Sequence, residues 1–175
     1  MLKRIHSDER GVAAVEFALI APIMILLYCG LAELSIAMMA ERRAAHAASV
    51  VADLVAQSGQ ITVTDLGDIY KVGNAVMYPF PTPTLKLRVT SVVADVNATP
   101  QVAWSQANGM TALAKNSTVA GFPANLLAAG DSVIQADVQY TFTSPLRYIL
   151  PNPIPFSDTY ILKPRQGGAV SCPTC

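Results

Sequence analysis

Charged side chains are scarce in this 175-residue chain: they make up 14% of it, against 52% apolar residues, and the formal net charge is zero. The few lysines and arginines are scattered and form no basic stripe, so the sequence gives no support for nucleic-acid binding. The apolar content is also too high for a disordered chain. The composition therefore favours one modest folded domain with an additional, unusually apolar element.

The region after Gly59 contains neither histidine nor glutamate. Ser-His-Asp and Cys-His catalytic arrangements cannot be built there, and a zinc site with histidine ligands is excluded for the same reason. Six aspartates remain, but their spacing defines no paired-carboxylate site. We therefore predict that the protein is not an enzyme and that it uses no cofactor and no metal.

Cysteine is rare, with three residues. Cys29 lies in an apolar run and is interpreted as a small buried hydrophobic residue. Cys172 and Cys175 form the sequence CPTC, and in an oxidising compartment we expect them to form a disulfide, with each other or with a partner. A thiol–disulfide enzyme that uses this pair is the weakest of our hypotheses, because such enzymes place the first cysteine at a helix start.

Apolar sequence is abundant near the amino terminus. From Phe17 to Ala40 the single charged residue is Glu33, and a helix of this length can cross a bilayer core of about 30 Å. A secretory signal has a shorter apolar core, with its cleavage site after the core. Here a basic leader ends at Gly11, before the apolar run. Cleavage at that point would keep the helix and leave Val12 as the new amino terminus.

The helical pattern continues beyond the apolar run. Polar residues recur every three or four positions between Arg42 and Gln57, opposite an apolar face. We predict one helix from Val12 to about Ser58, and a second helix over Thr64–Met77 with Thr64 as its N-cap.

In the rest of the chain, apolar and polar residues alternate along short segments, as they do in β-strands. We predict a small antiparallel sheet that packs against helix, which makes the fold class α+β in a pilin-like arrangement. The predicted strands lie within residues 84–95, 100–107, 131–144 and 156–165. The predicted organisation is a leader peptide at 1–11, a transmembrane helix at 12–40, an amphipathic extension at 41–58 and an extracytoplasmic α+β domain at 59–175.

The stretch RGVAAVEFALIAPIMILLYCGLAEL resembles a class III signal, as found in type IV pilins and pseudopilins. It is more closely similar to the TadE-like proteins of the Flp (Tad) pilus system. The matching positions are Gly11, Glu16, Phe17, Pro22 and Glu33. The family often has Gly and Arg soon after the second glutamate, where this chain has Leu34 and Ser35.

The resemblance implies a pseudopilin or minor pilin-like subunit that a prepilin peptidase cleaves between Gly11 and Val12. It implies that Glu16, with Phe17 beside it, acts in assembly by pairing with the free amino terminus of a neighbouring subunit. A carboxylate and an ammonium are each costly in lipid, and pairing offsets much of both costs. The implied partners are the prepilin peptidase, other pilins or pseudopilins, pilus assembly proteins and the lipid bilayer.

Two questions stay open in the sequence. Glu33 lies either at the outer membrane interface, near Arg42 and Arg43, or against a partner helix. The protein is either the processed subunit described above or an unprocessed single-pass membrane protein whose outer domain binds a ligand. The basic leader places the amino terminus in the cytoplasm. The expected location is the bacterial inner membrane, with the carboxy-terminal domain in the periplasm, or the pilus itself.

Overall fold

The computed structural model describes residues 11–123 and 126–175. It contains two helices followed by four strands, which confirms the predicted α+β fold class. The elements are α1 (Val12–Ala56), α2 (Val63–Val76), β1 (Lys86–Ala94), β2 (Pro100–Asn108), β3 (Ser132–Phe142) and β4 (Ile154–Leu162). Helix α1 runs through Pro22 without interruption and ends two residues before the predicted end.

The chain divides into two compact units. The first consists of the described residues up to Met38 together with the segment Thr143–Asn152. The second consists of Met39–Phe142 and Pro153–Cys175, and it contains α2 and the whole sheet. The first unit therefore joins the apolar part of α1 to a segment that lies more than a hundred residues away in the sequence.

The sheet of the second unit is antiparallel, with the strand order β2-β1-β3-β4. Strand β3 is central, and nearly all of its residues are buried, although its sequence alternates between apolar and polar residues. Two of its buried polar side chains are hydrogen-bonded, and Gln135 donates to Asp137 within β3 at 2.9 Å. Asp137 lies opposite Arg88 of β1, and its carboxylate accepts a hydrogen bond from the Nε of Arg88 at 2.9 Å and one from Thr159 of β4 at 2.8 Å.

The N-cap of α2 is Thr62, so the predicted cap at Thr64 is wrong. The backbone N–H of Asp65 donates to the Thr62 hydroxyl at 3.3 Å, and the Thr62 N–H donates back to the Asp65 carboxylate at 2.9 Å. Thr64 cannot act as the cap because it is already helical. The hydrogen bonds from Thr62 keep the pKa of the Asp65 carboxyl below its usual range. The cap therefore stabilises the fold most at neutral pH, and this contribution is lost as the pH falls through that lowered pKa.

Helix α2 approaches the other elements most closely at Gly73. A Cβ placed on this glycine would lie 2.8 Å from Cδ1 of Leu87 in β1 and 3.0 Å from Cγ2 of Val51 in α1. Leu87 and Val51 are both buried in the core, so neither side chain has free space to move into. Glycine is therefore required here by packing between the two helices and the sheet.

We expect Gly73→Ala to lower the free energy of unfolding by about 1–2 kcal/mol, because overpacking outweighs the gain in helix propensity. The control is Gly67→Ala in the same helix, where an added Cβ meets no atom within 4 Å. That change should raise the free energy of unfolding by about 0.5–1 kcal/mol. Denaturant unfolding of the detergent-solubilised protein checks both. Equal effects of the two substitutions would contradict the packing argument.

The carboxy-terminal tail closes the end of α1. The N–H of Arg165 donates to the carbonyl of Ala56 at 2.8 Å, and the Gln166 amide donates to the carbonyl of Gln57 at 2.7 Å. The Arg165 guanidinium also pairs with Asp53. These bonds satisfy carbonyls that a helix end leaves without partners. The tail thus acts as the C-terminal cap of α1.

Candidate functional site

The amino-terminal part of α1 presents an apolar surface. It is long and apolar enough to cross a membrane, and none of its most apolar 18-residue window is buried within the molecule. A core helix of a water-soluble domain would be mostly covered by its own chain. An exposed apolar surface of this size must be covered by lipid or by other helices.

The residues of the predicted processing and assembly site lie together at the start of this helix. Gly11 directly precedes α1, and Val12 is its first residue, with 63% of its surface exposed. Glu16 and Phe17 follow one turn later, and both are exposed. Within residues 11–123 and 126–175, no hydrogen bond or salt bridge engages Glu16.

Glu33 lies in a different environment, although it belongs to the same helix. Its side chain is fully buried. One carboxylate oxygen accepts the backbone N–H of Tyr148 at 2.8 Å. The other accepts the N–H groups of Ile149 at 3.0 Å and Leu150 at 2.8 Å. The sequence did not predict this contact within the chain, and the outer membrane interface and a partner helix remain the two predicted surroundings of Glu33.

The loop that binds Glu33 is shaped to present successive N–H groups to an anion. Arg147 has a positive φ of 54°, and its N–H donates to the hydroxyl of Ser144 at 3.3 Å. A left-handed residue of this kind turns the following N–H groups toward one point, as in the backbone nests that bind anions. The carboxylate of Glu33 occupies that point. Charge-assisted hydrogen bonds to backbone N–H groups are among the stronger ones in proteins.

Glu16 and Glu33 are 17 residues apart, about 25 Å along the helix axis, and they do not form one site. The sequence analysis did not find the partner of Glu33, since backbone N–H groups have no residue-type signature. One available signal was the stretch SPLRYILP at residues 144–151, whose two prolines disfavour regular structure and leave N–H groups without ladder partners.

Cys172 and Cys175 form a disulfide with each other, and their Cα atoms are 5.4 Å apart. The bond lies in the carboxy-terminal tail. Next to it, Thr174 accepts the N–H of Val63 at the start of α2 at 3.0 Å. This hydrogen bond holds the disulfide-closed end of the tail against the start of α2. Cys29 is a free cysteine on α1.

One helix long and apolar enough to cross a membrane, followed by a small helix and an open four-stranded sheet, fits the class of single-pass membrane proteins with an α+β domain. A family model described as TadE-like protein matches residues 11–53. The match confirms the TadE-like resemblance over nearly all of α1.

No curated protein and no solved structure showed a significant match to the chain. Within the part of the chain that the structure describes, no group of three or more histidine, cysteine, aspartate or glutamate side chains is arranged to hold a metal ion.

Proposed function

We propose that this protein is a pseudopilin or minor pilin-like subunit of a Flp (Tad) pilus assembly or secretion system. A prepilin peptidase removes a leader of residues 1–11, of which residues 1–10 lie outside the described residues. The mature chain stays in the inner membrane through the helix at 12–40. Its extension at 41–58 and its domain at 59–175 lie on the periplasmic side, and it assembles with other pilins or pilus proteins.

The observation that supports this proposal most directly is the TadE-like match, because it begins at Gly11 and not at the start of the chain. The match thus includes the residue before the proposed cleavage point and the exposed carboxylate of Glu16. Once Val12 is the amino terminus, Glu16 is the fifth residue of the mature chain. A new ammonium group on a neighbouring subunit can then pair with the Glu16 carboxylate within the membrane.

Processing is tested by intact mass and amino-terminal sequencing of protein purified from native membranes. We expect a mature chain that begins at Val12. In Gly11→Val the leader should remain attached, because the residue before the cleaved bond must fit into the peptidase and valine is larger than glycine. An added Cβ at Gly11 meets no atom of the described residues within 4 Å, so we expect the substitution to leave the fold intact. Ala13→Val, at an exposed helical position two residues further on, is the matched control and should be processed normally.

A leader that is retained in the unsubstituted chain would overturn the proposal. It would favour the alternative, in which an unprocessed single-pass protein presents its outer domain to a ligand or partner.

A further inference from the structure

The loop that binds Glu33 exposes large apolar side chains. Leu146 is 50% exposed, Tyr148 73% and Ile149 52%, and the charged Arg147 lies among them. The backbone of these residues binds Glu33 and Ser144, so the side chains are directed away from a fixed base. A rigid, exposed group of apolar and aromatic side chains marks a contact surface.

The backbone of this loop is suited to an apolar environment. The segment 145–151 begins and ends with a proline, and neither proline has an N–H. Four of the five residues between them donate their N–H to Glu33 or Ser144. Irregular backbone is excluded from lipid chiefly because its polar groups lack partners there. Here a buried carboxylate accepts three of the loop's N–H groups.

The position of Glu33 on α1 determines where this loop meets the membrane. About 20 helical residues cross the hydrocarbon core, so a span that starts between Val12 and Phe17 ends between Leu31 and Ile36. Glu33 lies within this end region. The loop also continues the lipid-facing surface of the helix, because the side chain of Ile149 lies 3.2 Å from the position a Cβ would take on Gly30.

We propose that the segment 145–151, held to α1 by Glu33, inserts its apolar side chains into the membrane interface at the far end of the span. The occupant of this surface is the lipid bilayer. Tyr148 takes the position that aromatic residues favour at the boundary, and Arg147 reaches the lipid phosphates. Continuity with the lipid-facing helix favours lipid over a soluble partner. The inference depends on the membrane-spanning helix of the proposed function, but it requires neither processing nor assembly.

The test uses tryptophan fluorescence of the full chain in phosphatidylcholine vesicles, with and without bromine on the acyl chains. The reporter is Tyr148→Trp, and the emission of the parent protein, from Trp104, is subtracted. Ile23→Trp in the middle of the span is the positive control. Val96→Trp, at a position 90% exposed in the β1–β2 connection, is the negative control. We expect bromination to quench the Tyr148→Trp reporter less than Ile23→Trp and clearly more than Val96→Trp.

A second variant tests the role of Glu33. Adding Glu33→Gln to Tyr148→Trp should reduce the quenching by bromine, since the loop is no longer held at the end of the span. Quenching of Tyr148→Trp no greater than that of Val96→Trp, with Ile23→Trp still quenched, would overturn the proposal and leave the membrane helix intact. Failure of Ile23→Trp to be quenched would overturn the membrane span and this inference together. Emission that responds to dilution of the protein in lipid, and not to bromination, would identify a second copy as the occupant.

Discussion

Replacing Glu16 by glutamine should reduce pilus assembly by roughly tenfold or more while membrane insertion stays normal, because the substitution removes the charge that pairs with a neighbouring amino terminus. Glutamine has nearly the same shape as glutamate and is less costly to place in lipid, so the helix still spans. Glu16 makes no hydrogen bond or salt bridge to the described residues of its own chain, so the substitution removes no such contact from the fold. The measurement is the pilus count per cell, together with membrane fractionation of the variant.

Glu41→Gln is the matched control for this prediction. Glu41 is an exposed glutamate of the same helix, beyond the apolar run. Its substitution should leave both assembly and insertion unchanged. Normal piliation in Glu16→Gln would refute the assembly role given to this carboxylate, even if the leader is removed as proposed.

Replacing Glu33 by glutamine should have a different effect, which is to release the loop that Glu33 holds. Glutamine offers one oxygen in place of two, and its NH2 group faces N–H donors instead of accepting from them. We expect amide hydrogen exchange at Tyr148, Ile149 and Leu150 to accelerate by roughly tenfold or more, because bonds to a charged acceptor are lost at all three residues. Processing between Gly11 and Val12 should continue, since that site is about 30 Å away along the helix.

Hydrogen exchange with mass spectrometry of the detergent-solubilised chain measures this effect. The sheet provides the internal reference, and exchange in β3 should stay as in the parent protein because β3 belongs to the other compact unit. Unchanged exchange in the loop would show that Glu33 does not hold it. The same glutamate-to-glutamine change at two positions of one helix thus separates the two roles. Glu16→Gln affects assembly and not the loop, and Glu33→Gln affects the loop and not processing.

The sequence left open whether Cys172 and Cys175 form a disulfide with each other or with a partner. In the structure the two are joined within one tail, whose backbone also bonds to Gly59 and Ile61 next to α1 and α2. A short local crosslink of this kind fixes a tail that already has several backbone partners.

The sequence by itself determined the elements whose signal is local. The apolar run after Gly11, the position of Glu16 and the alternation in the four strands are each visible within a short window, since they depend on helical and strand periodicity. The α+β fold class and the TadE-like resemblance followed from these patterns. Local signals were less reliable at the ends of elements, where Thr62 and not Thr64 proved to be the cap of α2.

Only the tertiary structure decided the role of Glu33. In the sequence it is a charge in an apolar run, predicted to lie at the outer membrane interface or against a partner helix, and neither prediction named a contact within the chain. Its partners are backbone N–H groups 115 to 117 residues away. Every residue except proline has such a group, so a pattern of side chains cannot predict which N–H groups will bind the carboxylate. The same holds for Gly73. A side chain is excluded at this position only because Leu87 and Val51, from distant parts of the chain, pack directly against it.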